Sequence, residues 1–230
     1  MAKIALCVIA TNEYTNFIES LLVSADYYFL KGHEVDYHLF TNCSDRWGME
    51  REIVHHPIEH KPWPAMTLNR YHIMGEADLS GYDYVYYIDA DMRFVAPVGD
   101  EIFGELVGVL HPGFYKGGGS WEINEKSEAY VPPYMRKQYI CGGFQGGSQY
   151  SRLFRLLKLQ IDKDEQTGNR ATWNDESHWN ALYSFYNLDF TTLLPSYCMV
   201  EEPEKRKAWG IDHLEPKIIA LKKDHSKYQK

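Results

Sequence analysis

The chain has 230 residues, 44% of them hydrophobic and 24% charged, with 32 acidic against 24 basic side chains and a formal net charge of −8. That length suits one large domain around a single sizeable core, and the composition is that of an ordinary globular protein. The acidic balance argues against a sequence-independent nucleic-acid binder, and no apolar run reaches the roughly 18 residues that a membrane span needs.

The charge is unevenly spread. Between Lys217 and the C-terminus stand Lys217, Lys222, Lys223, Lys227 and Lys230 against one acid, Asp224. A basic tail on an acidic body reads either as a solvated end or as a cover for an anionic ligand such as a diphosphate. The four cysteines (Cys7, Cys43, Cys141 and Cys198) form no CxxC pair. Their spacing argues against a zinc or redox motif and suits a reducing, cytoplasmic compartment.

Ile4 to Ala10 is a continuous apolar run, read as a buried first strand rather than a signal peptide. Phe17 to Leu30 carries apolar residues at helical spacing and meets a stop at Lys31-Gly32. Glu34 to Phe40 alternates as a strand, Met66 to Gly75 is expected to be a helix, and Tyr82 to Ile88 is a strand rich in Tyr and Val. Glu105 to Leu110 reads as a further strand. The stretch 112–147, rich in Gly, Pro and aromatics, is expected to be a ligand-shaping loop region. Helices are expected over Ser148–Leu159 and Asp175–Tyr186, and short strands over Phe190–Leu194 and Ile218–Leu221.

Alternation of strand and helix predicts a single α/β domain over 1–230, with a mostly parallel, Rossmann-like sheet and flanking helices. In such sheets ligands sit beyond the carboxyl ends of the strands. That points to Thr11-Asn12-Glu13-Tyr14 and to the residues just beyond Tyr82–Ile88.

Those residues are Asp89-Ala90-Asp91. Two carboxylates two residues apart, where a chain leaves a sheet, can turn toward one ligand. Their hard oxygens suit Mn²⁺ or Mg²⁺, which complete their shells with phosphate oxygens and water and neutralise a diphosphate leaving group. With Met92-Arg93-Phe94 extended beyond it, the pair has the strand–DxD–strand setting of nucleotide-sugar transferases. A haloacid-dehalogenase-type phosphatase would carry it after the first strand. A second cluster is Trp173-Asn174-Asp175-Glu176-Ser177-His178. Here Asp175 reads either as a helix cap or as a partner for sugar hydroxyls, and Glu176 as a first-turn acid or as a carboxylate at the reacting carbon. Gly142-Gly143-Phe144-Gln145-Gly146-Gly147 lacks a GxGxxG pattern; its glycines would let backbone approach a ligand closely. His55, His56 and His60 are read as surface imidazoles with no ligand role. The surplus of 18 Tyr, 10 Phe and 6 Trp is assigned mainly to the core, with some rings in 112–139 free to stack on sugars.

After Asp89-Ala90-Asp91 the motifs Leu110-His111-Pro112-Gly113-Phe114-Tyr115, Ala129-Tyr130-Val131-Pro132, Gly142-Gly143-Phe144-Gln145-Gly146-Gly147-Ser148 and Trp173-Asn174-Asp175-Glu176-Ser177-His178 occur in register. In this the chain resembles the family 6 glycosyltransferases, which include the blood-group A and B transferases and the α1,3-galactosyltransferases. The resemblance runs from about Ile4 to the C-terminal lysines. It implies a GT-A fold, with a nucleotide-binding half over 1–95, a donor-sugar and acceptor half over 96–216, and the basic tail 217–230 closing over the diphosphate. It also implies a soluble bacterial or phage-type form without the membrane stem of the animal relatives.

Carried over residue by residue, the resemblance implies that Ile9, Ala10, Thr11 and Tyr14 hold uridine, and that Arg70 serves the donor site. Asp89 and Asp91 would bind Mn²⁺ (or Mg²⁺), with Ala90 beside the ribose. Cys141, Gly142 and Gly143 would set donor choice, Glu176 would be the catalytic carboxylate, and Asp175 would contact the donor sugar. His111, Phe114 and Tyr115 fall in the acceptor motif, and Lys227 and Lys230 near the basic residues that close on the diphosphate. The implied activity is retaining, metal-dependent α1,3-transfer of GalNAc or Gal from a UDP-sugar to a β-galactoside, with or without fucose. A non-catalytic UDP-sugar or glycan-binding protein and an inverting GT-A transferase stand as alternatives. Oligomeric state is not assigned. Against the family pattern, Cys141 stands where relatives carry His, Leu, Met or Ala, and Asn174 replaces the usual His. Ala65 occupies a common Asp position, and Tyr134-Met135-Arg136-Lys137 departs from an acidic, Gly-containing segment.

Overall fold

A computed structural model describes residues 1–44, 47, 53–186 and 189–224. Ten strands are described: β1 (Lys3–Ala10), β2 (Glu34–Thr41), β3 (Ile53–Pro57), β4 (Tyr84–Asp89), β5 (Met92–Phe94), β6 (Leu106–Leu110), β7 (Ile140–Gly147), β8 (Phe190–Leu193), β9 (Met199–Val200) and β10 (Ile218–Ala220). The helices are α1 (Ile18–Tyr28), α2 (Ala65–Leu68), α3 (Arg70–Gly75), α4 (Tyr150–Gln166), α5 (Asn174–Phe185) and α6 (Pro203–Trp209).

The main sheet has seven strands in the order β3-β2-β1-β4-β7-β6-β8. β1 to β4 run parallel. β7 is antiparallel to both β4 and β6, and β8 lies parallel to β6. This mixed α/β sheet agrees with the GT-A expectation. A small sheet of β5, β10 and β9 sits beside it.

Alternation along β1 divides the core. Ile4, Leu6, Val8 and Ala10 face one side, where Leu21, Leu22 and Ala25 of α1 pack with Tyr86, Ile88 and Phe144. Ala5 and Cys7 face the other, against Tyr71, Tyr87, Tyr150, Leu157 and Trp179. A strand buried on both faces needs no polar alternation, which is why β1 reads as an unbroken apolar run. Large aromatics, among them Trp179, Tyr71, Tyr86 and Phe144, are fully buried, as the core assignment of the aromatic surplus requires. Ala10, expected at the nucleotide, belongs to this core, its side chain turned inward by the same alternation.

Several elements depart from the sequence expectation. The first helix starts after a 3-10 stretch at Asn12–Phe17 and ends at Tyr28, ahead of Gly32, whose φ of +96° forms the turn. α4 begins at Tyr150 and runs on to Gln166, because the polar residue Asp164 is itself buried there, accepting hydrogen bonds from Ser127 and the Glu128 backbone. The glycine-rich stretch expected as loop is the central strand β7. Its glycines serve close strand packing: a Cβ on Gly146 would stand 2.3 Å from Tyr86 Cδ1 and 2.5 Å from the Val85 carbonyl. Gly147, at φ +126°, turns the chain toward α4 with no room on the Glu105 side. Strand β3 and helix α6 lack a sequence signal of their own.

None of the four cysteines forms a disulfide among the described residues. Among the described residues no helix is long and apolar enough to cross a membrane. Crowding at β7 gives a direct test: Gly146→Ala should lower stability by about 1–3 kcal/mol, read from chemical denaturation. Gly81→Ala, where the added methyl meets nothing within 4 Å, should leave stability nearly unchanged.

Candidate active site

A cavity of about 500 Å³ opens beyond the carboxyl ends of β1 and β4, a volume in the usual range for small-molecule sites. Thirteen of the residues singled out from sequence line it. Ile9, Thr11 and Tyr14 come from the end of β1 and the turn after it, Arg70 from α3, and Asp89, Ala90 and Asp91 from the end of β4. His111 follows β6, Cys141, Gly142 and Gly143 begin β7, and Asp175 and Glu176 open α5.

The site is organised by Arg70, the first residue of α3, only 7% exposed. Its Nη2 donates to Asp89 Oδ1 at 3.0 Å, and its Nη1 donates to the Gly142 carbonyl at 2.9 Å. Nη1 also lies 3.0 Å from Asp175 Oδ2, an ion pair without the alignment of a hydrogen bond. The guanidinium stacks 4.1 Å over the Tyr87 ring, whose hydroxyl donates to Asp89 Oδ1 at 2.7 Å. Burial works against the charge, yet Asp175 and Asp89 hold the guanidinium well above its ordinary pKa.

Helix α5 brings the second carboxylate. Asn174 enters it at φ +50°, a left-handed conformation that Asn tolerates better than most residues. Trp173 takes the cap position without a side-chain hydrogen bond, so Asp175 lies inside the first turn and is not the cap. Glu176 Oε2 accepts from the Gly142 backbone N–H at 2.9 Å. Burial pushes Glu176 up to about 7, the Gly142 N–H and the Tyr139 hydroxyl offsetting only part of it. Burial likewise drives Asp175 to about 6 against the pull of Arg70. Asn180, one turn on, pins α5 to β7: its Oδ1 accepts from Ile140 N at 2.9 Å and its Nδ2 donates to Ile140 O at 2.8 Å.

Gly142 and Gly143 span the space between the two acidic groups. A Cβ on Gly142 would lie 3.7 Å from Glu176 Oε2, and one on Gly143 would lie 3.4 Å from Asp89 Oδ2. The backbone is therefore bare along the line joining β4 to α5.

Asp91 is 7% exposed and is met by Lys223, whose Nζ is 2.6 Å from Oδ2 and donates to the Tyr14 hydroxyl at 2.9 Å. Burial, and then Asp89, raises the pKa of Asp91 while Lys223 opposes them. The basic tail thus reaches the acidic pair through Lys223. Lys227 and Lys230, singled out from sequence, lie outside the described residues.

Phe114 and Tyr115 lie outside the cavity wall. Phe114 packs between His111 and Tyr139, and Tyr115 joins a small apolar cluster with Trp209 and Ile219. The half-exposed rings at the cavity are Trp63 and Trp173, both outside 112–139. Trp121, within that range, packs on Tyr139 and Arg136. His60, which the sequence presents as a surface imidazole, lines the cavity and bonds Thr11 Oγ1 at 2.8 Å. Lys223 and Cys198 also line it without a motif of their own. The one signal for Lys223 in the sequence is its place in a lysine cluster.

Comparison with known proteins closes the identification. The model of "Glycosyltransferase family 6" matches residues 1–228. Histo-blood group ABO system transferase 1 of Rattus norvegicus is 30% identical over 237 residues, covering 96% of this chain and 67% of that protein. Globoside alpha-1,3-N-acetylgalactosaminyltransferase 1 of Homo sapiens is 30% identical over 211 residues, covering 84% of this chain and 60% of that protein. The O-antigen biosynthesis glycosyltransferase WbnI of Escherichia coli is 28% identical over 193 residues, covering 78% of this chain and 80% of that protein. With the family model spanning nearly the whole chain over a mixed α/β sheet, the protein belongs to glycosyltransferase family 6.

Proposed function

We propose that the protein transfers GalNAc or Gal from a UDP-sugar to the 3-hydroxyl of a β-galactoside, with retention of the α configuration. The observation that carries this reading is the meeting, in one cavity, of the Asp89/Asp91 pair and Glu176 across the bare backbone of Gly142 and Gly143. A diphosphate held at the first and an anomeric carbon at the second would lay the sugar along that backbone. The name of the human relative, an alpha-1,3-N-acetylgalactosaminyltransferase, supports the same reading.

The residues fit a divalent cation. Asp89 and Asp91 offer hard carboxylate oxygens at one strand end; Arg70 and Tyr87 occupy Oδ1 of Asp89 and Lys223 occupies Oδ2 of Asp91, which leaves one oxygen of each carboxylate for the ion. Among the described residues no group of three metal-binding side chains occurs. Mn²⁺ or Mg²⁺ would therefore be held by two protein carboxylates and complete its shell with phosphate and water. Bound there, it would supply charge neutralisation to the departing diphosphate.

The protein's own groups do the rest. Lys223 brings a second positive charge to the same end of the cavity, while Ile9, Thr11 and Tyr14 wall the nucleotide side. Asp175 Oδ2, buried and without a hydrogen bond among the described residues, is an acceptor suited to a sugar hydroxyl. Glu176, as a carboxylate within about 3–3.5 Å of the anomeric carbon, would act as nucleophile or stabilise the developing positive charge. The bond from that carbon to the diphosphate breaks, the bond to the acceptor oxygen forms, and the hydroxyl proton leaves toward the phosphate.

Glu176→Ala should lose at least 100-fold in transfer (about 3 kcal/mol or more of barrier) while UDP affinity holds; near-normal turnover removes Glu176 from the mechanism. Asp89→Asn with Asp91→Asn should abolish stimulation by Mn²⁺, and undiminished activity of the unsubstituted chain in excess EDTA would defeat the metal assignment. Since Glu176 holds its proton up to about pH 7 and must be ionised to act, kcat/KM should climb as pH rises through 7. The same shift governs stability. The folded protein binds a proton that an unfolded glutamate releases near the ordinary value of 4.5, so stability falls between about pH 4.5 and pH 7. Glu176→Gln should accordingly raise Tm more at pH 8 than at pH 4.5.

A further inference from the structure

The wall between Asp89 and Glu176 contains a pair of thiols that the sequence keeps far apart. Cys141 directly precedes Gly142 in β7, and Cys198 ends the turn Pro195–Tyr197 that leads into β9. Both line the cavity, at 4% and 8% exposure, and both belong to the same buried cluster. The Cys141 side chain and burial push the Cys198 thiol well above its ordinary pKa. It stays neutral and acts through volume rather than charge or nucleophilicity.

Its volume falls at a decisive place. The recess that Gly143 opens by lacking a side chain is already bounded: a methyl there would stand 3.0 Å from Cys198 Sγ, 3.4 Å from Asp89 Oδ2 and 3.7 Å from Met92 Cε. Asp89 is fixed by Arg70 and Tyr87, and Met92 is an unbranched side chain that yields easily. The sulfur is the nearest boundary, and its burial in the same cluster as Cys141 leaves it little room to move. A sugar laid along Gly142–Gly143 with its anomeric carbon at Glu176 would bring C2, the next ring carbon, and its substituent toward this recess.

We propose that Cys198 is a specificity-determining residue for the donor, its sulfur setting the depth of the recess over Gly143 and so the size of the C2 substituent that the site accepts. The assignment rests on the UDP-sugar reading above. It distinguishes a 2-acetamido sugar, whose substituent needs depth, from a 2-hydroxy sugar, whose substituent does not. One buried methylene-sized group discriminates between substrates by roughly 10–200-fold, so a single sulfur is large enough to matter.

The test measures kcat/KM for UDP-GalNAc and for UDP-Gal with a galactoside acceptor, together with the affinity for UDP alone. Cys198→Ala, which deepens the recess, should raise the ratio in favour of UDP-GalNAc about 10-fold. Cys198→Val, which fills it, should lower the ratio several-fold. UDP affinity should stay within about twofold in both, since neither substitution removes a group of the Asp89, Asp91 and Lys223 cluster that would hold the diphosphate. A ratio unmoved in both variants, or moved in the same direction in both, overturns the assignment, as does a loss of UDP affinity in Cys198→Ala, which would mark a structural role. Turnover of neither donor by the unsubstituted chain would instead defeat the transferase reading itself.

Discussion

The buried guanidinium of Arg70 is the constraint on which the site depends. Three partners from three elements converge on it: Asp89 at the end of β4, Asp175 in the first turn of α5, and the carbonyl of Gly142 in β7. Desolvating an arginine and a carboxylate is costly, and such pairs are seldom a net source of stability. Removing one member is worse, at about 3–5 kcal/mol, because it leaves an uncompensated charge inside. Arg70 is thus a poor choice for stability and a good one for precision, since its planar fork fixes several acceptors at once. Asp175 is nearly inaccessible and Asp89 about one-third exposed at the side chain. The cation therefore faces the cavity with its charge already matched.

The rest of the site is built on that junction. Gly142 is held from both sides, its carbonyl by Arg70 and Gln145 and its N–H by Glu176. One peptide strand therefore registers the carboxylate of α5 against the acidic pair of β4. A Cβ on Gly142 would touch Arg70 and Glu176 at contact distance, and one on Gly143 would crowd the Cys198 sulfur. The cost is electrostatic: Glu176 and Asp175 sit where their charged forms are disfavoured. A site that confines carboxylates away from water gives up stability at neutral pH, and gains groups whose charge counts for more when a positive centre develops beside them.

How much of this is legible in sequence depends on which interactions are local. β1 and β4 announce themselves through runs of apolar residues and β2 through its alternation, and Asp89 and Asp91 are found because they lie directly at the end of one of those runs. Glu176 and Asp175 sit at the start of a helix whose pattern is plain. β7 escapes because its period is carried by glycines, which supply no polar-apolar alternation; their role is visible only against Tyr86 and the Val85 and Glu105 carbonyls. The full length of α4 is hidden because Asp162-Lys163-Asp164-Glu165 reads as surface, whereas Asp164 is buried through a partner at Ser127. Cys141 and Cys198 carry no spacing signal, since only the packing of the small sheet's leading turn against β7 brings them into one buried cluster. Lys223 is one lysine among five, distinguished only by the backbone contact of Leu221 N with Asp91 O at 2.8 Å, which delivers the tail to the acidic pair.

The most direct test of the account tracks the reaction itself by proton NMR, with the intact protein, Mn²⁺, UDP-GalNAc or UDP-Gal, and a β-galactoside. Free UDP should accumulate in step with a new glycoside whose anomeric proton has the small coupling of an α linkage, attached at the 3-hydroxyl. A product with the large coupling of a β linkage, or no glycoside formed from either donor by protein that binds UDP, would contradict it.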